Sequence, residues 1–238
     1  MHKLYKTVTW LAIFSIAMGF MEAAVVIYLR ELYYPHGFSF PLATIPPNVA
    51  VIEFLREAAT VIMLAAIGIV TGRNLAERFS FFLFCFAVWD LFYYIVLKVF
   101  LDWPESLLTW DILFLIPFPW IGPVLAPCII SLTMIVLTLA VVYFHRKDIL
   151  VTINKKEWAL LVIGSLIIIT SFVVDYISFV SHSNNSFWTP NSRERLFAEF
   201  STYVPKTYNW LLFALGELSI ITGIILMILR HKKYHPLR

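Results

Sequence analysis

The chain has 238 residues, of which 61% are hydrophobic and only 14% charged, with a mean hydropathy of +0.82 and a formal net charge of +3. A water-soluble domain of ordinary composition carries roughly 25% charged residues, so a soluble globular fold is excluded. The basic residues lie at the ends of apolar runs, where they set topology, and this excludes nucleic acid as the partner their charge would suggest. Repeated apolar runs of about 20 residues predict an all-α fold: a polytopic transmembrane helix bundle of six spans, forming a single domain over residues 1–238.

The first predicted span is Thr7–Leu29. Its basic start resembles a signal peptide, but Glu22 stands where a small-residue cleavage site is needed and the apolar run continues to Leu29, so it reads as a retained span. Ser15, Gly19 and Ala23 recur every four residues, a spacing that lets helices approach closely. The second span, Val49–Thr71, opens on Glu53, Arg56, Glu57 and Thr60, which share one helix face. The third, Phe79–Leu101, carries Asp90, Tyr94 and Lys98 on one face, flanked by Trp89 and Tyr93.

The 38 residues from Leu107 to Phe144 are too many for one span of about 20, and Pro117, Pro119, Pro123 and Pro127 interrupt their first half. Proline breaks a helix interior. The expectation is a short helical element over Ser106–Ile116, re-entrant or interfacial, carrying Asp111 and capped by Ser106 or Thr109. A break at Pro117–Pro119 then leads into a kinked fourth span, Ile121–Phe144. The fifth span, Trp158–Val180, holds Asp175. The loop 181–208 pairs Arg195 with Glu199 at i,i+4 and suggests either a short amphipathic helix over the bundle mouth or an ordinary interfacial loop. The sixth span, Asn209–Leu229, holds Glu217 beside Ser219 and Gly223.

Twelve Lys and Arg residues fall on the side that holds both termini, and five on the other. By the positive-inside rule both termini are cytoplasmic. Threading the spans at 1.5 Å per residue then gathers the intramembrane charges in the outer half. A charge at the membrane centre costs about 2.5–3.5 kcal/mol on insertion scales. A chain that keeps several at one depth is building a polar site there. The candidate site residues are Glu22, Glu53, Arg56, Glu57, Asp90 and Glu217, with Tyr94, Lys98, Asp111 and Asp175 secondary. Arg56 reaches either Glu53 or Glu57, so one carboxylate is its partner and the other is left over; the alternative is an ion-paired triad that only locks helix packing. Glu22 and Glu217 have no partner on their own helices, which suits proton or cation binding.

Cys85 and Cys128 lack metal spacing and read as packing residues. All six histidines are terminal or in loops. That argues against haem held by two intramembrane His and against His-rich zinc sites. No cofactor is otherwise indicated.

The cluster Glu53…Arg56-Glu57-Ala58-Ala59-Thr60, the run Trp89–Tyr94, and the segments Trp110–Pro117 and Trp120–Pro127 together resemble an uncharacterised family of bacterial multi-span membrane proteins, over about residues 50–130. The resemblance implies a bacterial inner-membrane protein and no activity, so no functional residue carries over from it.

The sequence reading is therefore an inner-membrane protein with an acidic intramembrane site open to the extracytoplasmic side, binding a cation, proton or metal for transport or proton transfer. Two alternatives stand beside it: an enzyme acting on a lipid or lipid-linked substrate from the outer leaflet, and a non-catalytic subunit whose charges are satisfied by a membrane-protein partner. Whether the chain is an enzyme is open at this stage. The scarcity of polar residues in the inner half counts against a path through the membrane.

Overall fold

The structure, a computed structural model, describes residues 2–182 and 201–234. Among the described residues six helices run in order: α1 (His2–Tyr33), α2 (Pro47–Thr71), α3 (Leu75–Leu101), α4 (Leu125–Arg146), α5 (Lys155–His182) and α6 (Trp210–Tyr234). All six are long and apolar enough to cross a membrane. The fold is essentially all-α, as composition predicts.

The segment before α4 differs from the expected helical element. It is an antiparallel hairpin of β1 (Trp110–Phe114) and β2 (Trp120–Pro123), with Asp111 opposite Gly122 and Ile112 opposite Ile121. A helix this short is marginal without strong packing, whereas Trp, Ile and Phe favour strands. A partner strand satisfies the backbone groups that the prolines would leave unpaired. Ser106 and Thr109 cap no helix. Their hydroxyls instead close the turn before β1, the Ser106 N–H donating to Thr109 Oγ1 and the Leu108 N–H to Ser106 Oγ. Leu107 to Phe144 is accordingly not one helix. The fourth span begins at Leu125, not Ile121, and Pro127 sits in its first turn, where a missing N–H costs little. The predicted helix around Arg195 and Glu199 lies outside the described residues.

The hairpin is inserted between helices. Asp111 and Ile121 are buried, and a Cβ at Gly122 would stand 2.7 Å from the Phe172 ring of α5. Close helix contacts also need small residues. A Cβ on Gly19 would meet the Trp89 carbonyl of α3 at 2.7 Å, so α1 lies directly on α3.

At the end of the bundle away from the hairpin, two Asn-capped helix starts are locked by arginines. Asn74 accepts from the Glu77 N–H, and Glu77 is bound by Arg73. Asn154 accepts from the Glu157 N–H, and Glu157 is bound by Arg230 of α6. The Asn154 N–H donates back to the Glu157 carboxylate, completing a capping box, whereas the Glu77 carboxylate takes the Arg73 N–H instead. Between this end and the hairpin the core is apolar, around Leu137, Val141, Phe144, Leu161 and Met227.

Candidate functional site

A cavity of about 200 Å³ lies among the hairpin-end halves of α1, α2 and α3, walled by β1 and by the α1–α2 connection. Five carboxyl groups line it: Glu22, Glu53, Glu57, Asp90 and Asp111. Two guanidinium groups, Arg30 and Arg56, accompany them. The rest of the wall is mostly apolar and aromatic.

Arg56 ties α2 to α1. Its Nε and Nη2 donate to Glu53 Oε2 at 3.0 and 2.7 Å, one helical turn away. Its Nη1 donates to Glu22 Oε1, whose other oxygen accepts from the Thr60 hydroxyl at 3.2 Å. Of the two carboxylates Arg56 could reach on its own helix, it takes Glu53 and leaves Glu57. Glu22, which has no partner within α1, finds Arg56 across the interface. Glu57 Oε2 accepts the Leu115 N–H at 2.8 Å, just past β1. Asp90 Oδ2 accepts from Ser131 Oγ of α4 at 2.8 Å. Among the described residues no basic side chain hydrogen-bonds or ion-pairs with Glu57 or Asp90.

Arg30 forms the second cluster. Its Nη2 donates to Asp111 Oδ1 at 3.3 Å, and the Tyr94 hydroxyl donates to Asp111 Oδ2 at 3.2 Å. The Arg30 guanidinium carbon lies 3.7 Å from the Trp103 ring centre and 4.4 Å from that of Phe38, within cation–π range. Burial pushes the Asp111 carboxyl above its ordinary range, while Arg30, the Ile112 N–H and the Tyr94 hydroxyl pull it back. The Tyr34 hydroxyl accepts the Ala43 N–H at 2.9 Å and so holds the α1–α2 connection over the cavity.

Three of the sequence candidates lie elsewhere. Glu217 faces α4, where Thr133 Oγ1 donates to Oε1, and Oε2 is buried without a partner among the described residues. Lys98 is exposed and pairs with Asp102 at 2.7 Å. Asp175 accepts from the Tyr203 hydroxyl. Sequence reasoning missed Arg30 by counting it only toward topology. The signal was present: Glu22, Val26 and Arg30 recur every four residues and line the same cavity. It becomes visible once α1 is carried past Leu29 to Tyr33.

Among the described residues no group of three His, Cys, Asp or Glu is placed to hold a metal ion. Cys85 is buried among the core residues of α1–α3.

No protein-family model, curated protein or solved structure matches the chain, so the resemblance over residues 50–130 acquires no family from comparison.

Proposed function

We propose that this chain is a multi-pass inner-membrane protein with both termini cytoplasmic, and that its cavity is a one-sided acidic site facing the extracytoplasmic side. The site takes up protons or a small cation in support of transport or proton transfer. The observation that carries this reading is the charge inventory of the cavity among the described residues: five carboxyl groups against two guanidinium groups, with no basic side chain hydrogen-bonded or ion-paired to Glu57 or Asp90. Arg56 holds Glu22 and Glu53 as a rigid ion cluster. Glu57 and Asp90 are the groups left to exchange a proton or hold a cation. The absence of a three-ligand cluster among the described residues favours a proton or a monovalent cation over a transition metal. An infrared titration of the purified protein in nanodiscs tests this. Carboxyl bands assigned to Glu57 and Asp90 are expected to appear and vanish with pH or cation, and to be lost in Glu57→Gln and Asp90→Asn. Bands unchanged in both variants would defeat the reading.

A second reading has a specific observation in its favour. The apolar walls of the cavity and the apolar core below it suit an enzyme that works on a lipid or lipid-linked substrate from the outer leaflet, with Glu57 and Asp90 as acid and base. Proteoliposomes separate the two: a pH gradient dissipated by the protein supports proton transfer, whereas lipid turnover without flux supports the enzyme.

A further inference from the structure

Among the described residues, two side chains of the cavity wall carry a buried hydrogen-bond donor with no acceptor. The donors are Arg30 Nη1 and Trp89 Nε1. The Arg30 side chain is 8% exposed and Trp89 is 5% exposed. A buried donor without an acceptor costs about 1–3 kcal/mol, and more when it is charged. Asp111 fixes one edge of the Arg30 guanidinium, and Phe38 and Trp103 crowd it. Arg56, by contrast, spends Nε, Nη1 and Nη2 on Glu53 and Glu22. The free donor capacity of the cavity is therefore at Arg30 and Trp89, and it calls for oxygen acceptors.

Charge narrows the class of ligand. A simple anion at Arg30 would add negative charge to a cavity already rich in carboxylates, and among the described residues no basic side chain hydrogen-bonds or ion-pairs with Glu57 or Asp90. A ligand that brings its own cation relieves both problems. The volume sets the size: about 200 Å³, below the roughly 300–1,000 Å³ of sites for drug-sized ligands, suits a small polar head.

We propose that the cavity binds a zwitterion, an oxyanion joined by a short linker to a primary ammonium. The oxyanion takes the free edge of Arg30, Trp89 donates to a further oxygen, and the ammonium goes to Glu57 and Asp90. This rests on the proposed function in one respect, that Glu57 and Asp90 accept a cation. The zwitterion is either a small soluble molecule or the head group of a lipid in the outer leaflet.

The full chain, purified in detergent, is titrated with soluble phosphoethanolamine and with glycerol phosphate, which lacks the ammonium. In parallel, native mass spectrometry compares phosphatidylethanolamine with phosphatidylglycerol. The zwitterionic member of at least one pair is expected to bind about tenfold more tightly, the scale of one charged hydrogen bond. Preference among the soluble pair identifies a soluble ligand, and preference confined to the lipids identifies a head group. Arg30→Gln alone strands Asp111, so the test variant is Arg30→Gln/Asp111→Asn, which removes both charges. It is expected to remain folded and to lose the preference about tenfold. Lys98→Ala, outside the cavity, is expected to keep it. Equal binding within both pairs, or an undiminished preference in the double variant, overturns the proposal. If the Glu57 and Asp90 bands still titrate in that case, only this inference fails. If they do not, the proposed function fails with it.

Discussion

At the scale of single residues, Arg56 is the keystone of the cavity. It holds Glu53 on its own helix and Glu22 on α1. Removing one partner of a buried ion cluster leaves the others uncompensated, at a cost of about 3–5 kcal/mol. Arg56→Ala is expected to lower stability by that amount in a denaturant titration. Arg56→Met combined with Glu22→Gln and Glu53→Gln is expected to recover most of it, because no bare charge then remains. Asp111 gives a pH signature. Burial holds its carboxyl above the ordinary value of 3.8. A carboxyl raised in the folded state contributes stability that is complete below the unfolded value and is lost as pH rises through the folded one. The stability of the wild type relative to Asp111→Asn is therefore expected to fall as pH climbs from 3.8. A flat difference across that range would mean that Arg30 fully cancels the burial. The pairing of Arg56 with Glu53 was legible in the sequence, because i,i+3 spacing puts them on one face. The contacts of Glu22 with Arg56 and of Arg30 with Asp111 were not, because each crosses between elements whose rotation about their axes no local pattern fixes.

At the scale of elements, the hairpin is what the sequence did not disclose. Leu107–Pro127 announces a break through its prolines, but periodicity in a short apolar run does not separate strand from helix. What decides is the neighbourhood: β2 must pass against Phe172 with no side chain at Gly122, and β1 must end on the Glu57 carboxylate. Two outcomes follow. Gly122→Ala forces a Cβ to 2.7 Å from the Phe172 ring and is expected to cost about 1–3 kcal/mol, as overpacking does. Gly122→Ala with Phe172→Leu is expected to recover part of that loss. Glu57→Ala removes the acceptor of the Leu115 N–H. Faster hydrogen exchange at Leu115, with α2 otherwise unchanged, is the expected result in exchange mass spectrometry. Unchanged exchange there would mean that β1 is held by its strand partner alone.

At the scale of the whole molecule, six apolar helices carry their titratable groups in two tiers. One end has Asn-capped helix starts whose carboxylates are clamped by Arg73 and Arg230. The other has the cavity, and an apolar core separates them. The number and order of the helices were readable from hydrophobic runs alone, since about 20 apolar residues leave little other choice. The position of Glu217 was not. Its depth suggested convergence with the others, but α6 packs on α5 and α4, and the carboxyl faces Thr133 instead. Depth is a property of one helix, whereas a shared site depends on which helices are neighbours. The proposed function requires that the cavity open only to the extracytoplasmic side. Single cysteines at Ala50 and Leu113, both in the cavity wall, can be probed with a membrane-impermeant thiol reagent in whole spheroplasts and in inverted vesicles, against the parent chain. With a cavity open to that side alone, labelling is expected in spheroplasts and not in inverted vesicles. Labelling in inverted vesicles alone, or from both sides, would contradict it.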